Sequence, residues 1–78
     1  MKKAYAKAFG QNIRRLRSER GLSQEQLAAK LQVAGCGDIT RSALAKIEVA
    51  QRNLQLYELK ALHEVLNVPY DKLFIEIK

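Results

Sequence analysis

Residues 21–48 read GLSQEQLAAKLQVAGCGDITRSALAKIE, and two parts of this stretch, 23–31 and 40–48, have the composition of short helices. In the second part Leu44 and Ile47 fall on one side of a helix, because side chains return to the same face about every 3.6 residues. The opposite side carries Arg41, Ser42 and Lys46. Cationic and hydroxyl groups on one exposed helix face suit the edges of DNA bases, so these residues are candidate base contacts.

The rest of the chain has the apolar spacing of helices and almost no strand pattern, which predicts an all-α fold. With 78 residues and no repeat, low-complexity tract or linker, the chain is predicted to form a single domain, residues 1–78. The predicted helices lie at about 5–20, 24–31, 41–49, 56–66 and 70–74.

Several residues have the chemistry of helix caps. Gly21 is placed to end the first helix in the left-handed region, and Asn67 is placed to end the fourth. Ser23 and Gln26 have the spacing of a capping box, in which each side chain satisfies a backbone amide of the other residue. Thr40 is the expected N-cap of the third helix.

The positive charge is concentrated at one end of the sequence. The formal net charge is +6, and residues 1–20 account for all of it, with seven Lys and Arg against one Glu. Such a patch suits the phosphate backbone of a nucleic acid or, less specifically, an anionic membrane surface. Charge alone does not choose between these two partners.

Other classes of function find little support in the sequence. A lone cysteine, Cys36, excludes an internal disulfide, and no cluster of Cys and His suggests a metal site. His63 has no catalytic partner at useful spacing, and we expect neither a cofactor nor enzymatic activity.

No apolar run approaches the length of a membrane span or a secretory signal, so a cytoplasmic location is expected. Between Gly35 and Gly37, Cys36 is expected to be an exposed, inert thiol.

Three segments together resemble the lambda-repressor and Cro type of helix-turn-helix protein, often called the XRE family. They are IRRLRSERGLSQEQLAAKL, ITRSALAKIE and QRNLQLYELKALHEVLNVPYDKLF, and the resemblance covers about residues 12–74. The combination is specific: Leu-Ser-Gln opens one helix, Ile-Glu closes the next, and a Leu-rich helix ends before Val-Pro. The resemblance implies a five-helix, lambda-repressor-like DNA-binding domain whose third helix lies in the major groove.

The resemblance also implies roles for particular residues. Arg41, Ser42 and Lys46 match positions that address base edges, and Arg41 is the strongest candidate because its two donors fit guanine O6 and N7. The matching DNA backbone contacts are Gln24, Thr40 and Arg52. Arg17 and Glu48 correspond to a structural ion pair that links the first helix to the end of the third.

The chain departs from the family pattern at three points. The largest is the connection of eight residues, Gln32 to Ile39, where the family has a much shorter turn. The turn between the second and third helices is therefore expected to be expanded and loose, with Ile39 taking the buried position. Ala50 stands where the family often has glycine, and Leu54 where it often has proline.

The favoured interpretation is sequence-specific binding to double-stranded DNA by a transcriptional regulator, expected to be a repressor. One small domain buries a modest surface on DNA, so a homodimer is expected, with its copies about 34 Å apart on two half-sites. The C-terminal region offers more apolar surface than a short helix can bury by itself. The expected dimer residues are Tyr70, Leu73, Phe74, Ile75 and Ile77.

Two alternatives from other classes remain open in the sequence. One is a protein-binding module on the same fold, such as an antitoxin or an anti-repressor, because a fold does not fix a function. A domain that had lost DNA reading would be expected to replace Arg41 and Lys46 by apolar or acidic residues, and both are basic here. The other alternative is membrane binding through residues 1–20, which would survive disruption of the third helix.

Overall fold

The computed structural model describes residues 3–75 and shows five α-helices, with no strand in that range. The helices are α1 (Lys3–Glu19), α2 (Gln24–Val33), α3 (Arg41–Glu48), α4 (Leu56–Leu66) and α5 (Tyr70–Leu73). The all-α, five-helix prediction is confirmed. The helix α2 extends two residues beyond its predicted end, which shortens the connection before Thr40 from eight residues to six, 34–39.

One apolar core is shared by all five helices. The apolar spacing of α4 predicts a buried stripe that begins at Leu56, but Leu56 is exposed and the buried part of the stripe begins further along the helix. α3 contributes Leu44 and Ile47 to this core, which leaves its opposite face to solvent. The buried apolar residues are Phe9, Ile13, Leu16, Leu27, Ala28, Leu31, Cys36, Ile39, Leu44, Ile47, Ala61, Leu62, Leu66, Val68 and Leu73.

Each of the first four helices is followed, within one or two residues, by a residue with positive φ. Gly21 has φ 66° and Asn67 has φ 54°, so both predicted left-handed caps are confirmed. Gly35 ends α2 with φ 104°, and Ala50 follows α3 with φ 64°. Ala50 therefore adopts the backbone conformation for which glycine is normally selected, and its Cβ makes that conformation strained.

The predicted N-caps are also present. The Ser23 hydroxyl accepts a hydrogen bond from the Gln26 amide at 3.0 Å, and the Ser23 amide donates to the Gln26 side chain at 2.8 Å. The Thr40 hydroxyl accepts from the amide of Ala43 at 3.2 Å. These bonds satisfy amides that the first turns of α2 and α3 would otherwise leave unpaired, and they set where each helix begins.

The connection between α2 and α3 is more ordered than the sequence suggested. The expectation that Cys36 is exposed was wrong, because its residue exposure is 2%. The left-handed turn at Gly35 folds the chain back, so that the Cys36 amide donates to the Leu31 carbonyl at 2.9 Å. Ile39 is fully buried, as predicted, and its carbonyl accepts from the Gln32 side chain at 2.9 Å. The connection is thus anchored at two points.

A close approach between α1 and α3 fixes the position of α3. At Gly10 a Cβ atom would lie 2.4 Å from the carbonyl oxygen of Glu48 and 2.7 Å from that of Ile47. Because both neighbours are backbone atoms, no side-chain movement relieves such a clash. Nothing in the local sequence marks Gly10 for this role, yet only glycine allows this contact between the two helices.

The C-terminal part of the fold is tied to α1. The side-chain amide of Asn12 donates to the carbonyls of Leu73 and Ile75, at 2.9 Å in each case. Phe74 packs on Phe9 with ring centroids 5.2 Å apart. Leu73 is fully buried in the monomer, so its expected place on a dimer surface was wrong. Ile77, also expected there, lies outside the described residues.

Candidate nucleic-acid interface

An open groove runs between α1, the first turn of α2 and the exposed face of α3. Arg41, Ser42 and Lys46 line it together with Gln24, so the structure brings all three candidate base contacts beside one candidate backbone contact. Arg41, Ser42 and Lys46 are exposed, and Gln24 is half-buried. The groove therefore presents hydrogen-bonding side chains from two successive helices to one ligand.

The groove is predominantly positive. Its charged lining consists of Arg14, Arg17, Arg41 and Lys46 against Glu25 and Glu48. One of the two carboxylates, Glu48, is neutralised by Arg17. The remaining cations attract an anionic ligand such as a phosphate backbone, and the free amides at the start of α2 act in the same direction.

Arg17 and Glu48 form a bidentate ion pair at the floor of this groove. Arg17 Nε donates to Glu48 Oε2 at 2.8 Å, and Arg17 Nη2 donates to Glu48 Oε1 at 3.1 Å. Arg17 Nη1 also donates to the carbonyl of Leu22 at 2.9 Å. Glu48 is only 5% exposed, so the pair fixes the end of α3 against α1 and the turn before α2.

Gln24 is oriented by the same carboxylate. Its side-chain Nε2 donates to Glu48 Oε1 at 3.1 Å, which commits one of the two amide hydrogens to the protein. Gln24 is the first residue of α2, where backbone amides without intrahelical partners point outward. Glu48 thus holds the Gln24 amide beside these donors, an arrangement that suits an anion.

Thr40 and Arg52, the other candidate backbone contacts, lie in different settings. Thr40 is exposed but its hydroxyl caps α3. Arg52 does not line the groove; its Nη1 and Nη2 donate to Glu58 Oε1 and Oε2 at 3.1 and 3.0 Å. Both ends of the guanidinium are thus engaged within the protein, and a phosphate contact by Arg52 stays a prediction.

Glu58 is the partner that the sequence analysis missed. It is fully buried and also accepts a hydrogen bond from the Gln55 amide at 2.8 Å. Burial acts to raise the pKa of Glu58, but the hydrogen bonds from Arg52 and Gln55 and the charge of Arg52 outweigh it and lower that pKa. A signal was available, because Glu58 shares a helix face with Ala61 and Leu62 and a charge within an apolar stripe requires a partner.

Further groove residues also escaped the sequence analysis. Arg14 adds a cation from α1, and Gln51 adds an amide just beyond α3. Ala45 and Val49 contribute apolar surface to the same groove, and Val49 is 57% exposed. The helical spacing of Ala45 and Val49 from Ser42 and Lys46 was the signal that placed them on the exposed face of α3.

Residues 3–75 contain neither a cluster of metal-binding side chains nor a membrane-spanning helix. No group of three or more His, Cys, Asp or Glu side chains is arranged to hold a metal ion in this range. None of the helices that the structure describes has the length and apolar character needed to cross a membrane.

Comparison with known proteins identifies the family to which this chain belongs. The sequence profile of the helix-turn-helix family matches residues 13–73. The chain belongs to this helix-turn-helix family. The resemblance to the lambda-repressor and Cro type is thereby confirmed. No curated protein sequence matches the chain.

Two solved structures share the helix-turn-helix fold over nearly their whole length. The restriction-modification controller protein C.AhdI from Aeromonas hydrophila is 35% identical, with a TM-score of 0.73; the match covers 91% of this chain and 98% of that chain. The DNA-binding domain of BldD has a TM-score of 0.76, and the match covers 95% of this chain and 99% of that one. At 24% identity, the second likeness shows the fold alone.

Proposed function

We propose that this helix-turn-helix protein binds duplex DNA sequence-specifically and regulates transcription as a repressor, with α3 inserted in the major groove. The observation that carries the proposal is the two-sided character of α3. Leu44 and Ile47 hold one face in the core, while Arg41, Ser42 and Lys46 are exposed on the other, in a positive groove. The likeness to C.AhdI, a controller protein, supports a regulatory role.

Base reading is assigned to the exposed face of α3. Arg41 occupies the first position of α3. Because helical side chains point back toward the N-terminus, the Arg41 side chain can reach beyond the end of the helix. Its planar guanidinium can donate two hydrogen bonds to guanine O6 and N7, which discriminates against another base by about 1–3 kcal/mol. Ser42 and Lys46 contribute further base contacts, and Lys46 does so with less geometric restriction.

Positioning on the phosphate backbone is assigned to residues around this face. Gln24 donates its second amide hydrogen to a phosphate while Glu48 holds the first. The exposed Arg14 provides a cation on the α1 side of the groove. Thr40 can contribute through its hydroxyl or amide, and Arg52 can do so only if its pairing with Glu58 leaves a donor accessible.

We further propose that the protein acts as a homodimer in the cytoplasm. The longest dimension of the structure is 31 Å, and successive faces of the major groove are about 34 Å apart, so one copy reaches one half-site. Phe74 is 42% exposed and borders an apolar depression with Leu56, which is 85% exposed. Tyr70 and Ile75 also retain exposed surface for a second copy.

The dimer is tested by analytical ultracentrifugation at micromolar concentration, with and without DNA. The wild-type protein should sediment as a dimer. Leu56→Glu places a charge in the proposed contact, so this variant should sediment as a monomer. Val33→Glu changes an equally exposed residue at the end of α2 and should leave the dimer intact. A wild-type monomer under both conditions would refute self-association.

Sequence-specific DNA binding is tested by selecting bound duplexes from a random pool. The wild-type protein should enrich one sequence, and Arg41→Ala should relax the preference at a guanine within it. Lys30→Ala removes the same charge from an exposed residue that borders a different surface, so it should leave the preference unchanged. Failure of the wild-type protein to enrich any sequence would overturn the proposed function.

A further inference from the structure

The exposed face of α3 contains an apolar strip between its polar side chains. Ser42, Ala45 and Lys46 lie along one face of α3, and Val49, the C-cap residue, follows Lys46 by three positions. All four line the groove. Val49 is 57% exposed and Ala45 is partly exposed, so neither side chain is used fully by the core.

The surroundings of Val49 make its exposure informative. An isolated apolar residue on a protein surface is common and needs no explanation. Val49, however, lines a groove together with Arg14, Arg17 and Lys46, where a polar side chain would be better solvated. Ala45, one helical turn earlier, lines the same groove, so the groove has two apolar side chains among its cationic ones.

The major groove of DNA offers one apolar group to such a surface. Each base pair presents its own pattern of donors and acceptors there, and thymine adds the methyl group at C5. Alanine and other small apolar side chains recognise this methyl group by direct contact, because the contact removes it from water. A surface without donors or acceptors cannot recognise guanine, adenine or cytosine by hydrogen bonding.

We propose that Ala45 and Val49 are specificity-determining residues that contact the C5 methyl group of thymine within the half-site. This inference rests on the proposed DNA-binding function. It adds a second recognised base to the half-site: Ala45 and Val49 contact a thymine, whereas Arg41 contacts a guanine. The short side chain of Ala45 lets α3 lie close to the groove floor, and Val49 supplies the larger contact.

The inference is tested by replacing thymine with deoxyuridine in the duplex that the random-pool selection yields. The two nucleotides differ only in the C5 methyl group, so base pairing and the polar groups of the major groove are kept. Dissociation constants are measured by fluorescence anisotropy for duplexes that carry the replacement at one thymine position at a time. Loss of a buried methyl group should weaken wild-type binding by about fourfold at the thymine that is read.

Variants then connect this loss to the apolar strip. The deoxyuridine penalty is the ratio of the dissociation constants of the deoxyuridine and thymine duplexes. In Val49→Ala or Ala45→Gly this ratio should fall toward one, because the side chain no longer covers the methyl group. The comparison uses two duplexes with the same variant, so a smaller folded fraction affects both affinities equally. Val33→Ala shortens another exposed valine, outside the groove, and should retain the full penalty.

The outcomes separate this inference from the proposed function. If the wild-type protein enriches one sequence but deoxyuridine weakens binding at no position, thymine reading is wrong and DNA reading stands. A penalty that persists unchanged in both Val49→Ala and Ala45→Gly also overturns the assignment to these residues. A wild-type protein without sequence preference refutes the proposed function itself, and this inference with it.

Discussion

Glu58 and Arg52 form a bidentate ion pair that joins the segment after α3 to the first turn of α4. The two guanidinium nitrogens lie 3.1 and 3.0 Å from the two carboxylate oxygens, and the Glu58 side chain is fully buried. Burial, followed by the nearby Glu58 charge, also raises the pKa of the Cys36 thiol. Because Glu58 is buried in the core, its ion pair with Arg52 holds the segment that follows α3 against the core.

Glu58→Gln should destabilise the fold by about 2–3 kcal/mol at neutral pH, because Arg52 then remains partly buried without its charged partner. The measurement is the free energy of unfolding from urea titration. Glu64→Gln makes the same chemical change at an exposed position of α4 and should have little effect.

The effect of Glu58→Gln should also depend on pH. The pKa of Glu58 is lowered in the folded state, whereas an unfolded glutamate titrates at about 4.3. The stabilisation by ionised Glu58 is thus complete above the unfolded pKa and is lost as the pH falls through the folded pKa. The stability difference between wild type and variant should shrink below that range, and a constant difference down to low pH would contradict the ion pair.

Ala50→Gly should stabilise the protein by about 0.5–1 kcal/mol, since glycine adopts the observed φ of 64° without strain. Thermal and urea unfolding measure the change. The same substitution at Ala29, exposed within α2, should instead destabilise by about 0.5–1 kcal/mol. Loss of stability in both variants would show that the left-handed position is not strained in alanine.

Gly10→Ala should destabilise the fold by about 2–3 kcal/mol, because the new methyl group pushes α3 away from α1. Urea unfolding measures the loss, and DNA affinity should fall with it because the groove changes shape. In Gly37→Ala the added methyl group meets open space, and stability should change little. Similar losses in the two variants would rule out the close helix contact as the cause.

Gln24→Ala should weaken binding to all duplexes by a similar factor, because a phosphate contact carries no sequence information. Arg41→Ala should weaken the selected sequence by about 1–3 kcal/mol and random DNA much less. Affinities for both duplexes are measured side by side. Equal losses on selected and random DNA in the two variants would overturn the division between reading and positioning.

DNA affinity should fall steeply as the salt concentration rises. Each phosphate that the protein neutralises releases about 0.9 counterion, so the logarithm of the binding constant falls linearly with that of the salt concentration. Arg14→Ala should reduce this slope by about one unit if Arg14 contacts a phosphate. A flat salt profile for the wild-type protein would exclude binding to the DNA backbone.

The features predicted from the sequence are those determined by neighbours along the chain. Apolar spacing located the helices to within a few residues, and the caps at Gly21, Ser23 and Asn67 follow from local backbone chemistry. The exposed face of α3 followed in the same way, because two core residues in one short helix fix which side chains point outward.

The features that the sequence did not reveal depend on contacts between distant segments. Gly10 is required by backbone atoms of α3, and Glu58 by an arginine outside its own helix. Leu73 was expected on a dimer surface because the C-terminal region offers more apolar area than one short helix can bury by itself. Cys36 was expected to be exposed because it lies in a glycine-rich loop. Both are buried in a core that is built mainly by residues far away along the chain.

The burial of Cys36 gives the protein an internal reporter of its own opening. The chain has one sulfhydryl group, and the turn at Gly35 places it in the core. An alkylating reagent therefore modifies only those molecules in which the α2–α3 connection has separated from the core. Mass spectrometry of the labelled chain would follow this separation in the native protein, without any introduced probe.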